Sequence, residues 1–130
     1  MKLFTFFRRR RARRPATGVR SYRERKEEAR ALVHARLLYW TTVFPFEYGQ
    51  VRIKNQRRAW GSCSSKKNLN FNWRLVALPA ELADYIIVHE LCHTIHLNHS
   101  AAFWNLLKSY LPNGALLRMH LRRIAINDVM

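Results

Sequence analysis

The segment HELCHTIHLNHS (His89–Ser100) puts four histidines into eleven positions, and the course of its backbone decides both the fold and the chemistry open to the chain. His89, Glu90 and His93 spell H-E-x-x-H. On an α-helix, residues four apart lie about 40° apart around the axis and one turn along it, so His89 and His93 can converge on one ion. Zinc held in this way lowers the pKa of bound water towards ~7. The carboxylate of Glu90, next to the first histidine, is then placed to serve as general base. The motif lies in an apolar stretch, where two buried histidines and a buried glutamate are costly without partners. A metal supplies those partners. The alternative is a set of core histidines satisfied by hydrogen bonds alone.

A catalytic zinc needs a third protein ligand, and two histidines compete for the place. If the helix continues, His96 falls about 20° from His89 around the axis, whereas His99 points about 280° round. Angle therefore selects His96. Distance does not, because His96 lies about 10.5 Å along the axis from His89, against zinc–nitrogen bonds of only ~2.0–2.1 Å. Asn98 tolerates the left-handed conformation that ends helices and Ser100 can cap the next one. A turn at Asn98 would swing His99 back over the ion. Geometry leans towards His99 and leaves His96 open.

Working outward, Pro79, Glu81 and Asp84 mark the start of the helix that carries the motif. Apolar residues run almost unbroken through LADYIIVHELCHTIHL, so this helix is expected to be buried on most sides. Ser100 opens a further helix with Phe103, Trp104, Leu107 and Leu111; PNG (Pro112–Gly114) breaks it, and a last helix follows from about Ala115 to Ile126. Upstream, QVRIK alternates with Val51 and Ile53 on one face, and LNFNW alternates with Leu69, Phe71 and Trp73 inward. WGSCSSKKN between them supplies a polar turn, and the whole reads as a small antiparallel sheet. Trp60, Gly61, Ser62 and Cys63 are read as structural strand and turn with Trp60 as a core anchor; a cleft wall beside the metal is the other reading. A helix is expected from Ser21, where Ser21 and Glu24 make a capping box, to just before Pro45. Ala29, Val33, Leu37 and Trp40 share its inner face, and His34 lies off it on the surface.

The 130 residues suit one domain with one modest core. The formal charge is +16, and residues 1–30 hold 12 Lys/Arg against Glu24, Glu27 and Glu28. RRRRARRPATG (Arg8–Gly18) cannot bury enough to offset its ordering entropy, so residues 1–19 read as a flexible basic arm before a domain at 20–130. Such an arm can hold nucleic acid by displacing counterions, and Phe4, Phe6 and Phe7 leave a membrane-surface contact open. The two cysteines, Cys63 and Cys92, form no disulfide framework and read as small buried hydrophobes. No apolar run approaches the ~18 residues of a membrane span. A cytoplasmic protein is the expectation; oligomeric state is not encoded in these patterns.

RIKNQRRAWGSCSSKKNLNFNWRLVALPAELADYIIVHELCHTIHLNHSAAFW (Arg52–Trp104) resembles the YgjP-like metallopeptidase family, related to SprT-like and WLM-type zinc proteases. The marks are W-G-S-C, N-W-R-L, the D-Y-to-H-E-L-x-H helix and N-H-S-x-x-F-W. The resemblance implies a small α+β, zincin-like domain, a short sheet packed on an active-site helix with flanking helices. It also implies zinc on His89, His93 and His99, Glu90 as catalytic base, and a protein or peptide substrate. Histidine at position 96 is compatible with the family but not required, which leaves His96 beside the site or facing the cleft. A helix and a basic arm stand where the family carries an N-terminal β-rich region, and Ala59 stands where the family tends to have arginine. Tyr85, Arg74 and His120 are candidates to stabilise a transition state. Two other readings compete. One is metal-dependent hydrolysis of a nucleotide phosphoanhydride, which suits the charge but lacks a Gly-rich phosphate loop. The other is a nucleic-acid-associated protein with a structural zinc, which needs a fourth ligand from His96 or Cys92.

Overall fold

The computed structural model describes the backbone of residues 17–129 and the side chains of residues 21–129. Most of the basic arm, with the phenylalanines before it, lies outside the described residues. Helix α1 spans Thr17–Val43, β1 Val51–Lys54, β2 Gly61–Cys63, β3 Leu69–Asn72, α2 Ala80–His93, α3 Ala101–Tyr110 and α4 Gly114–Arg122. Short 3-10 turns at Trp73–Ala77 and Ile126–Asp128 complete the order. This is the expected α+β architecture.

The inner stripe of α1 is the one its periodicity gives: Ala29, Val33 and Leu37 are fully buried and Trp40 nearly so. The helix nevertheless begins at Thr17, two residues after Pro15 and inside the stretch assigned to the arm, so Ser21 lies within the second turn and is not a cap. Burying each large side chain contributes roughly 1.5–3 kcal/mol, against about 1 kcal/mol for a cap. Packing therefore fixes where α1 sits, and a cap-like pair inside it decides nothing. Arg36 then ties α1 to α2 through a forked ion pair with Asp84, Nε–Oδ1 2.7 Å and Nη2–Oδ2 2.8 Å.

The sheet departs from the antiparallel reading. Its strand order is β1-β3-β2. β1 runs parallel to β3, Val51 opposite Leu69 and Lys54 opposite Asn72. Only β2 and β3 are antiparallel, Gly61 opposite Phe71 and Cys63 opposite Leu69. Lys67, in the connection between β2 and β3, takes a left-handed φ of 66°. Leu69, Phe71 and Trp73 are all fully buried, as their alternation requires.

The connection from β1 to β2 is nailed to the core by polar side chains. Trp73 Nε1 donates to Asn55 Oδ1 at 3.0 Å, and Asn72 Nδ2 donates to the carbonyls of Gln56 and Ala59 at 2.7 and 2.9 Å. Arg74, only 4% exposed, donates from Nη1 to Asn55 Oδ1 and the Gln56 carbonyl and from Nε to the Val129 carbonyl. Arg74 is thus a cross-tie between the residue 55–56 loop and the C-terminal segment. A guanidinium buried with carbonyl and amide oxygens only is held below its ordinary pKa by burial first, and then by the Arg57 charge.

Among the described residues no helix is long and apolar enough to cross a membrane.

Candidate metal centre

The helix start at Pro79 and Ala80 matches the sequence reading. Ten of its fourteen residues are buried, Glu90 and His93 among them. Its end does not match. The helix stops at His93 rather than running on to Asn98. Thr94 folds its hydroxyl onto the Leu91 carbonyl at 2.6 Å, and the Ile95 and His96 amides both donate to the Cys92 carbonyl, at 3.1 and 2.9 Å. Asn98 does not adopt the left-handed conformation, which among the described non-glycine residues occurs only at Lys67. Ser100 does cap α3, its Oγ accepting from the Phe103 amide at 3.3 Å.

This early turn brings three of the four histidines together. His99 Nε2 comes to 3.0 Å from His93 Nε2 and 3.3 Å from His89 Nε2. The ligand-capable atoms of His89, His93 and His99 all lie within 4.8 Å of one another. The His96 side chain is outside that cluster, but its backbone is not idle: the His96 carbonyl accepts from His93 Nδ1 at 2.9 Å. A carbonyl can only accept, so the His93 proton sits on Nδ1 and its Nε2 presents a lone pair to the centre.

The donor set fits a metal ion. With the His93 proton committed to the His96 carbonyl, a single proton on His99 could satisfy only one of its two close nitrogen neighbours. A cation among three imidazole lone pairs satisfies all of them, and imidazole suits zinc, copper, iron and nickel. Two of the imidazoles, His89 and His93, are also kept in the neutral form that a metal requires. Burial, reinforced by the neighbouring His93, His99 and Arg118 charges, pushes His89 down to about 3. His93 is lowered as well, by burial before the nearby His99 charge. His89 Nδ1 is buried with no hydrogen-bond partner, so the orientation of that ring rests on packing.

Aromatic rings from the first turn of α3 supply this packing. Phe103 stacks on His93, centroids 4.4 Å apart and planes at 27°, and meets His89 edge-on at 5.0 Å. Trp104 stacks on His99 at 5.5 Å and 23°, with the Arg118 guanidinium 4.8 Å from the indole. Phe103 and Trp104 are legible in the sequence as helix residues. Their contact with the histidine rings is not, because it depends on the turn at Thr94.

Glu90 projects into a slot between α2 and β2. Glu90 is 6% exposed, and burial raises its carboxyl to about 8. No hydrogen bond or ion pair to it occurs among the described residues. The slot exists because residue 61 is glycine: a Cβ there would lie 3.1 Å from Glu90 Cγ, 3.2 Å from Oε2 and 3.1 Å from the Asn70 carbonyl oxygen. Sequence reasoning had no signal for this role of Gly61; W-G-S-C is therefore both a strand and part of the site wall, and Trp60 is only half-buried.

The remaining candidates separate cleanly. Tyr85 is buried with its ring 5.7 Å from His89. Arg74 is committed to structural hydrogen bonds, and His120 is exposed on α4. Cys92 is fully buried, its thiol raised to about 12 by burial and then by the Glu90 charge. It is not in the cluster, so neither of the fourth ligands that a structural zinc would need is assembled among the described residues. Burial likewise raises the Cys63 thiol to about 11, far from a reactive thiolate.

No curated protein matches the sequence. Among solved structures, the metallopeptidase zymogen abylysin of Pyrococcus abyssi is similar with a TM-score of 0.61 at 18% identity, over 78% of this chain and 99% of that one. Jannalysin of Methanocaldococcus jannaschii, also a metallopeptidase zymogen, is similar with a TM-score of 0.53 at 27% identity, over 74% of this chain and 97% of that one. The abylysin likeness speaks for the fold alone. The family model of the YgjP-like metallopeptidase domain matches residues 9–124, a span that takes in the sheet, the three histidines, Glu90 and the supporting helices, and the chain belongs to that family.

Proposed function

We propose that the chain is a zinc-dependent metallopeptidase in which His89, His93 and His99 hold the ion and Glu90 is the general base. The observation that carries this reading is the convergence of His89, His93 and His99, whose ligand-capable nitrogens lie within 4.8 Å of one another, with the buried Glu90 next to His89 in the chain. Zinc bound there supplies Lewis acidity towards a peptide carbonyl and makes water a stronger acid. Glu90 takes a proton from the attacking water as its oxygen bonds to the carbonyl carbon. It then gives that proton to the departing amine as the carbon–nitrogen bond breaks, and returns to the carboxylate it began as. His93 keeps its Nδ1 proton on the His96 carbonyl throughout. Phe103 and Trp104 hold the ligand rings in place and exclude water from one side.

Removing and restoring the metal tests the proposal. Treatment with a strong chelator is expected to abolish hydrolysis of an unstructured protein substrate, and stoichiometric zinc to restore it. Hydrolysis that survives complete metal removal would sink the reading, as would a zinc-loaded chain that cleaves no peptide bond.

Gly61→Ala offers a finer check on Glu90. The new methyl must displace either the Glu90 side chain or the Asn70 backbone, and misplacing a reacting group by a fraction of an ångström is costly. We expect peptide hydrolysis to fall roughly ten- to hundredfold, with zinc content unchanged. Full activity in Gly61→Ala would mean that the slot is wider in solution than the contacts imply.

A further inference from the structure

The reaction proposed above leaves a second concave site unused. It is a cavity of about 410 Å³ between the residue 57–60 loop and the end of α4, lined by Arg57, Arg58, Trp60, Leu121, Arg122 and Ile124 and by residues 125–127. We propose that this cavity is a carboxylate subsite that selects acidic peptides for the neighbouring metal centre. The inference rests on the metallopeptidase reading.

Three observations support it. First, the cavity is cationic without compensation. Three arginines line it and no acidic residue does; Asp128 lies just beyond the lining. Arg57, Arg58 and Arg122 are exposed, and none makes an ion pair among the described residues. Second, the lining is of mixed character. Trp60, Leu121 and Ile124 give apolar surface for a side-chain stem, while the guanidinium forks match the two oxygens of a carboxylate. Third, lining residues from both sides of the cavity are close in the chain to residues that touch the site. Trp60 precedes Gly61, the residue against Glu90, and its carbonyl is fixed by the Asn72 amide at 2.8 Å. Arg122 stands one helical turn beyond Arg118, which covers Trp104.

A carboxylate can come from a glutamate or aspartate side chain or from the C-terminus of the peptide. Both sources are separated by one peptide set: a glutamate-bearing peptide, its glutamine counterpart with a free C-terminus, and that counterpart amidated. Binding is measured by fluorescence anisotropy on the zinc-loaded Glu90→Gln chain, and cleavage on the otherwise unaltered chain. We expect the peptide carrying the recognised carboxylate to bind roughly five- to tenfold more tightly than its neutral match. Arg57→Gln/Arg122→Gln should bring that ratio close to one, while Arg30→Gln/Lys108→Gln, which removes equal charge elsewhere, should leave it unchanged.

Equal binding of all three peptides would overturn the subsite, and so would equal loss of preference in both double variants. Displacement by a nucleoside triphosphate with no preference among peptides would reassign the cavity to phosphates and also overturn it. If every peptide is cleaved but none is preferred, the subsite fails and the metallopeptidase reading stands. If the acidic peptide is preferred in binding but nothing is cleaved, the reverse holds.

Discussion

Glu90→Gln is expected to lower peptide hydrolysis by about two to four orders of magnitude, the usual contribution of a positioned general base, and to leave zinc binding intact. Glutamine has nearly the same shape as glutamate, so it fits the slot that Gly61 leaves open. It cannot accept the proton of the attacking water. The same substitution removes a carboxyl that burial already disfavours in its charged form, and strands no partner group among the described residues. The metal-free variant is therefore expected to melt no lower than the unaltered chain. That combination separates catalysis from structure: hydrolysis collapses while metal content and melting temperature hold. Activity within tenfold of the unaltered chain would show that another group takes the proton. Loss of zinc together with activity would show that Glu90 serves the centre structurally.

The second large effect distinguishes the two competing histidines. His99→Ala deletes one of three converging nitrogens and is expected to weaken zinc on the order of a hundredfold or more. It should also loosen the Trp104 side of the site, since the indole stacks on the lost ring. His96→Ala is expected to change zinc affinity by no more than a few-fold, because the group that meets His93 is the backbone carbonyl of residue 96, which alanine retains. Competition against a chromophoric chelator measures both variants on one scale. The opposite ranking would mean that the chain beyond Thr94 folds differently once the ion is present.

Much of this centre is legible in sequence because it is local. H-E-x-x-H sits on one helix, and helix geometry alone brings His89 and His93 together. The third ligand is less so. Angle selects His96, distance disfavours it, and the outcome depends on a backbone turn three residues wide. The turn was placed at Asn98, whereas it begins at Thr94. Apolar Ile95 and Leu97 read as a continuing buried helix, yet they are exposed, 46% and 52%. An apolar residue in sequence marks burial only where some other element comes to cover it. The sheet fails for a related reason. Gly61–Cys63 is three residues long with no useful alternation, and nothing local distinguishes a strand beside β3 from a turn before it. Parallel pairing of β1 with β3 is likewise a property of the whole topology. The inner faces of α1 and β3 were legible because periodicity records burial directly, whereas the capping pair at Ser21 was overridden by packing along the helix. Gly61 at Glu90 left no trace at all, since a glycine chosen for lack of a side chain looks like any turn residue.

The buried Arg74 has a consequence for how the cleft behaves when something enters it. One guanidinium holds the loop before Arg57 and the segment after Asn127, so the two walls of the cationic cavity hang from a common post. A guest cannot widen the cavity by displacing either wall without breaking hydrogen bonds to Arg74. The backbone of the cavity is set in advance, so the ordering entropy lost in binding falls on the arginine side chains and not on the loops that carry them. Selectivity in such a place comes from shape and charge set in advance by the fold.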